Sequence, residues 1–246
     1  IVNDGEIHVY DTSQRGIYSY NNGSNNVGIM YLTNNGDILV ENAGTDGIYS
    51  QIRKDTMVIE NNGTIDVKHS GSVAWYNYAN QDSAFVDIDN HGTIRVDTTG
   101  LWNVGIYNRC QQTTIGEPVR LDFDNYGTIE VDSTHSYGLY NHTQKGELNF
   151  TNHVDAVIDI QNINQWGCYN NNNRSDGYTP ETNFNNYGTI TIRNTLYGGM
   201  QNYSSGETFN FNNYNILHIS NTGQAGIHNY TYNNFAELNF VNDGNI

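Results

Sequence analysis

The chain has 246 residues, with 26 Asp plus Glu against 10 Lys plus Arg and a formal net charge of −16. Acidity without basic runs excludes nucleic acid as a partner, because a phosphate-binding surface needs clustered Lys and Arg. Apolar stretches of three or four residues fall far short of the roughly 18–20 that span a bilayer, so this segment is not expected to insert into a membrane.

In chain order the first element is a repeat, Asn-x-Gly-x-Ile-x-Val, opening at Asn3-Asp4-Gly5-Glu6-Ile7-His8-Val9. It returns at Asn34-Asn35-Gly36, Asn61-Asn62-Gly63, Asn90-His91-Gly92, Asn125-Tyr126-Gly127 and Asn186-Tyr187-Gly188, with degenerate copies from Asp155 and Asn213 and a last one at Asn242. Eight periods separate Gly5 from Gly244, roughly 30 residues each. A second motif, Gly-Ile-Tyr-Asn, follows the first by 11 residues in seven of eight periods, beginning at Gly16, Gly47, Ala74, Gly105, Gly138, Gly167, Gly199 and Gly226. A third precedes the repeated Asn and alternates apolar and polar residues, as in Met57-x-Ile59, Val86-x-Ile88, Leu121-x-Phe123, Leu148-x-Phe150 and Phe209-x-Phe211. Period-two alternation is the strand signature.

Three short strands per period describe one rung of an all-β, parallel β-helix of about eight rungs. A right-handed coil is expected, since parallel crossovers are overwhelmingly right-handed. Residues 1–246 form a single solenoid domain on this reading. The Asn before x-Gly and the residue after the third strand (Asn77, Asn108, Asn141, Asn170, Asn202, Asn229) predict two stacked amide ladders, which account for many of the 41 Asn. The bend glycines are expected at positive φ. Cys110 and Cys168 make neither a disulfide framework nor a zinc pattern, and Cys168 is expected in the core.

Parity picks the outward residues. After Gly-Ile in the second motif come Tyr18, Tyr49, Tyr76, Tyr107, Tyr140 and Tyr169, an aromatic column that either stabilises the sheet or offers a strip for a glycan. On the first strand Asp87 and Asp89 fall beside Asp122 and Asp124, with Glu60 one rung earlier. Facing like charges are either screened by solvent or bridged by Ca²⁺ through oxygen ligands. No Arg or Lys is expected to face these four. On the second strand, Arg95 is expected near Glu130 and Asp159, and Lys68 near Asp97 and Asp132. Length variation gathers at one corner, in the stretches from Arg109 to Pro118 and from Asn171 to Glu181, which include Tyr178 and could shape one shallow site.

The repeated Asn-x-Gly-Thr-Ile-x-Val followed by Gly-Ile-Tyr-Asn resembles passenger domains of bacterial autotransporters and filamentous-haemagglutinin-type adhesins. The resemblance implies a secreted rod, exported across a bacterial outer membrane and held at the cell surface for adhesion, aggregation or building an outer layer; it carries over no functional residue. The nearly identical half-rungs at Ile1–Ile7 and Phe240–Ile246 suggest an uncapped fragment of a longer array, or end-to-end self-association. The leading expectation is a non-enzymatic adhesin or structural rod. Its partner is a glycan or a protein of a host or neighbouring cell. Alternatives are a self-associating filament or surface-layer unit, and a β-helical polysaccharide lyase or hydrolase acting through Asp87, Asp89, Asp122 and Asp124. No cofactor is expected beyond Ca²⁺.

Overall fold

A computed structural model describes residues 1–22, 28–81, 83–97, 103–111, 119–173, 180–205, 208–232 and 236–246. Every regular element among them is a strand, and the strands stack into three parallel sheets of nine, eight and eight. The first sheet holds Val2–Asn3, Ile29–Asn34, Thr56–Asn61, Phe85–Asn90, Arg120–Asn125, Glu147–Asn152, Glu181–Asn186, Thr208–Asn213 and Glu237–Asn242. The second holds Glu6–Thr12, Asp37–Ala43, Thr64–Lys68, Thr93–Asp97, Thr128–Asp132, Val157–Ile163, Thr189–Thr195 and Ile216–Thr222. The third holds Ile17–Asn21, Ile48–Ile52, Val73–Asn80, Val104–Gln111, Tyr137–Lys145, Trp166–Asn172, Gly198–Ser204 and Ala225–Thr231. Within each sheet, neighbouring strands come from successive periods, so the chain winds as a three-sheeted solenoid. At about 4.8 Å per strand, the nine-stranded sheet is roughly 38 Å long.

Register makes each sequence position a column. Leu32, Ile59, Ile88, Phe123, Phe150, Phe184, Phe211 and Phe240 occupy one inward line of the first sheet. From Phe123 onward the line is an aromatic stack with centroids 5.0, 4.7, 5.2 and 5.0 Å apart. Burying each such side chain contributes roughly 1.5–3 kcal/mol.

Both amide ladders form. At the first bend, Nδ2 of each Asn donates to Oδ1 of the next from Asn3 through Asn34, Asn61, Asn90, Asn125, Asn152, Asn186 and Asn213 to Asn242, every bond at 2.7 or 2.8 Å. The second runs from Asn77 through Asn108, Asn141, Asn170 and Asn202 to Asn229 at 2.8–3.0 Å. Buried amides would otherwise cost free energy, so the ladders make a polar column tolerable inside an apolar coil.

The expected role of the bend glycines is corrected. Among the described residues, only Gly146 of all glycines has positive φ. A Cβ on Gly36, Gly63, Gly92 or Gly127 would instead strike the carbonyl oxygen of the bend glycine one rung below, so glycine is needed for close backbone approach. Left-handed residues gather at the other bend, between the second and third strands: Asp11, Asn42, His69, Ser133, Asn162, Asn194 and Asn221. Asn, Asp and His tolerate that conformation best among residues with a Cβ.

Candidate functional site

The outer face of the third sheet carries the tyrosine column in register. Successive centroids from Tyr18 to Tyr169 lie 5.5, 4.9, 4.7, 4.5 and 5.1 Å apart, and the Tyr76, Tyr107 and Tyr140 rings are parallel within 4°. Strand spacing brings successive rings into contact: Tyr76 to Tyr169 stack, whereas Tyr49 meets Tyr76 edge-on at 81° and Tyr18 at a tilt of 59°. Arg15 sits 4.5 and 3.8 Å over the Tyr18 and Tyr49 rings, and its Nε reaches Asp46 at 3.2 Å. Only Tyr18, at 50% exposure, shows much of its surface; Tyr49 is 8% exposed and the other four are half-buried. Burial pushes the Tyr76 phenol up to about 12 and raises those of Tyr107, Tyr140 and Tyr169, so all stay protonated. Their hydroxyls are partly engaged, Tyr76 with Arg109 at 3.2 Å and Tyr107 with His142 Nδ1 at 3.0 Å. From Tyr76 to Tyr169 the ring faces are thus turned to one another, and a partner there meets mostly edges and hydroxyls.

The first sheet brings three of the four predicted aspartates together. Asp87 pairs with Asp122 and Asp89 with Asp124 across neighbouring strands. Carboxylate oxygens of Asp87, Asp89 and Asp124 lie within 4.8 Å of one another. Burial, then the neighbouring carboxylates, pushes Asp87 up to about 6 and raises Asp89. Such an all-oxygen set suits a hard divalent cation, with water completing the shell. Asp122 stands apart from this group, held by Arg120 at 2.8 Å and by Asn149 at 2.8 Å. Arg120 therefore corrects the expectation that no cation faces these residues: two positions before Asp122 on one strand, it shares its face. The sequence reading also missed His153, which meets Asp124 at 2.7 Å and stacks 3.9 Å from Tyr126. It lies two residues after Thr151 in a lengthened bend, where strand parity no longer applies.

The outer face of the second sheet holds a groove of about 490 Å³ lined by Asp66, Lys68, Arg95, Asp97, Glu130, Asp132, Asp159 and Gln161. Val96 and Val131 have buried side chains, so their main chain forms its floor. The sequence-level pairings are partly redrawn. Arg95 meets Glu130 at 2.8 Å, but Asp159 is taken by Arg193 at 2.8 Å and Lys68 by Asp66 on its own strand at 3.1 Å. Period-two spacing on every strand was a sufficient signal for this groove, whose charges read singly as ordinary surface pairs. An apolar hollow of about 210 Å³ at the first rungs, between Ile7, Ile17 and Leu32, is continuous with the core.

Cys110 and Cys168 are free and buried, with thiols raised by desolvation, as a core role demands. The corner stretches expected to shape a shallow site, with Tyr178, fall largely outside the described residues.

With the stacked rungs and their outward columns in view, one comparison decides the family. The model of the BigA third pectate lyase-like domain matches residues 1–216. The chain belongs to that family. The match takes in every rung up to the start of strand Ile216–Thr222. Together, this pectate lyase-like family and the β-solenoid fit a bacterial surface protein. Nothing among the curated proteins or the solved structures matches.

Proposed function

We propose that this domain is a non-enzymatic adhesin or structural rod, exported to a bacterial surface and contacting a glycan or a protein of a host or neighbouring cell. The observation that carries this reading is register: side chains stand in unbroken columns on the outside of the coil, one rung after another, as a repeated display surface does. Hydrophobic stacking and amide ladders hold the rod, which leaves the outward positions free to vary with the ligand. The tyrosine edges from Tyr18 to Tyr169 are one contact surface. The autotransporter-like export route and calcium at Asp87, Asp89 and Asp124 belong to the same proposal.

Binding of the purified domain to a broad glycan array and to whole cells, with Ca²⁺ and then EDTA, tests it, with bound glycan followed by mass. Saturable binding without cleavage is expected, and cleavage would overturn the reading. A second reading, polysaccharide cleavage, draws support from the family's pectate lyase-like description and from carboxylates lying beside an Arg-held Asp122. Progressive shortening of the glycan, abolished by Asp87→Asn, is its signature.

A further inference from the structure

The groove on the second sheet is built differently from the rest of the surface. Two side-chain columns border it, in register across four successive strands from Thr64–Lys68 to Val157–Ile163, about 14 Å along the rod axis. Asp66, Arg95, Glu130 and Asp159 form one border, and Lys68, Asp97, Asp132 and Gln161 the other. Five carboxylates against two cations leave an excess of three negative charges on the lining. Most of these charges are spoken for, whereas Asp97 is exposed and, among the described residues, has no side-chain hydrogen bond or ion pair; it acts on Lys68 only through its field. Next to it in register stands Asp132, fixed by donors from Gln161 at 3.0 Å and Asn162 at 2.8 Å. Asp159 gives one oxygen to Arg193, while its other oxygen is closed to solvent, out of a ligand's reach, and has no donor among the described residues. The groove therefore holds one solvent-reachable carboxylate, Asp97, that lacks a cationic or hydrogen-bonding partner among the described residues, on a lining whose carboxylates outnumber its cations.

We propose that this groove binds a linear glycan whose sugars carry free amino groups, laid along the rod axis. One ammonium group pairs with Asp97 and others answer the excess negative charge along the lining, while Arg95, Lys68 and Gln161 hydrogen-bond the intervening hydroxyls. The side chains repeat at the strand spacing of about 4.8 Å, near the length of one sugar residue, so a linear polymer stays in register over several rungs. A uronic-acid polymer is excluded by the same charges, so the ligand differs in sign from pectate despite the family description. An extended peptide is disfavoured because strands in the middle of this sheet already pair on both sides, and peptides that lie along sheets gain affinity by pairing with a free edge.

The inference rests on the adhesin reading, and the test separates the two. Wild-type domain, Asp97→Asn and Asp97→Asn/Asp132→Asn are titrated with a glucosamine oligosaccharide, its fully N-acetylated counterpart, polygalacturonate and an oligolysine peptide. Wild type is expected to bind the glucosamine oligomer and to lose affinity as salt rises. Loss of one charge-assisted contact weakens binding about tenfold in Asp97→Asn, while its thermal transition stays at the wild-type position. Equal binding of the acetylated oligomer, the uronate or oligolysine would overturn the proposal. So would glucosamine binding unaffected in both variants, although the adhesin reading would then stand. A wild type that binds no glycan and no cell overturns both.

Discussion

Two aromatic columns run along this rod, one inside and one outside, and they stack almost alike. Phe123 to Phe240 lie 4.7–5.2 Å apart in the core, and Tyr49 to Tyr169 lie 4.5–5.1 Å apart on the surface. The backbone spacing sets both distances. The environments differ: Phe123, Phe150, Phe184 and Phe211 are almost fully buried, whereas Tyr76, Tyr107, Tyr140 and Tyr169 keep an edge in solvent. Regular spacing of aromatics is thus a property of the coil and not by itself a mark of ligand binding. A binding surface has to be sought where side chains keep unused capacity, as the second-sheet groove does.

The comparison breaks if the two columns cost the same to interrupt. Phe150→Ala should be the most damaging change, at about 3–5 kcal/mol for a large core truncation, read from the midpoint of denaturant unfolding. Asn125→Ala in the neighbouring ladder should cost about 2–4 kcal/mol, because Asn90 loses its acceptor and Asn152 its donor. Tyr107→Ala should cost only about 1–2 kcal/mol, the worth of stacking plus partial burial. A Tyr107→Ala loss equal to that of Phe150→Ala would show the outer stack to be as structural as the core.

A smaller effect sharpens the contrast between stacked and charged faces. The Asp87 carboxyl is raised from its ordinary 3.8 to about 6, so folding disfavours its ionised form. Its contribution is most favourable below the unfolded value and is lost as pH rises through about 6. Asp87→Asn should therefore stabilise the domain at pH 7 and change little at pH 3.5, seen as a melting-temperature difference that appears between those values. Ca²⁺ at this cluster would raise the wild-type transition at pH 7 and have less effect on the variant. An Asp87→Asn domain with the same pH profile as wild type would remove the cluster from consideration.

Much was legible in one dimension because a solenoid maps sequence period directly onto space. The Asn-x-Gly repeat placed one ladder and the Asn of Gly-Ile-Tyr-Asn the other, and strand parity placed the Tyr column and paired Asp87 with Asp122. Bends were harder. The glycines at the first bend were assigned to the wrong cause, since a close approach between rungs leaves no local trace that distinguishes it from positive φ. Asp122 was grouped with the other aspartates, although Arg120 on its own face removes it.

The sequence by itself determined the rung, its three strands and which side chains point inward, because period and parity are local properties of the chain. Tertiary structure alone decided how the outward charges divide among partners. Lys68 chooses Asp66 on its own strand, Arg193 reaches back to Asp159, and Asp97 has no ion pair among the described residues. Long side chains select the partner within reach by rotamer and by competition among neighbours on adjacent rungs, and that selection exists only once the rungs are stacked.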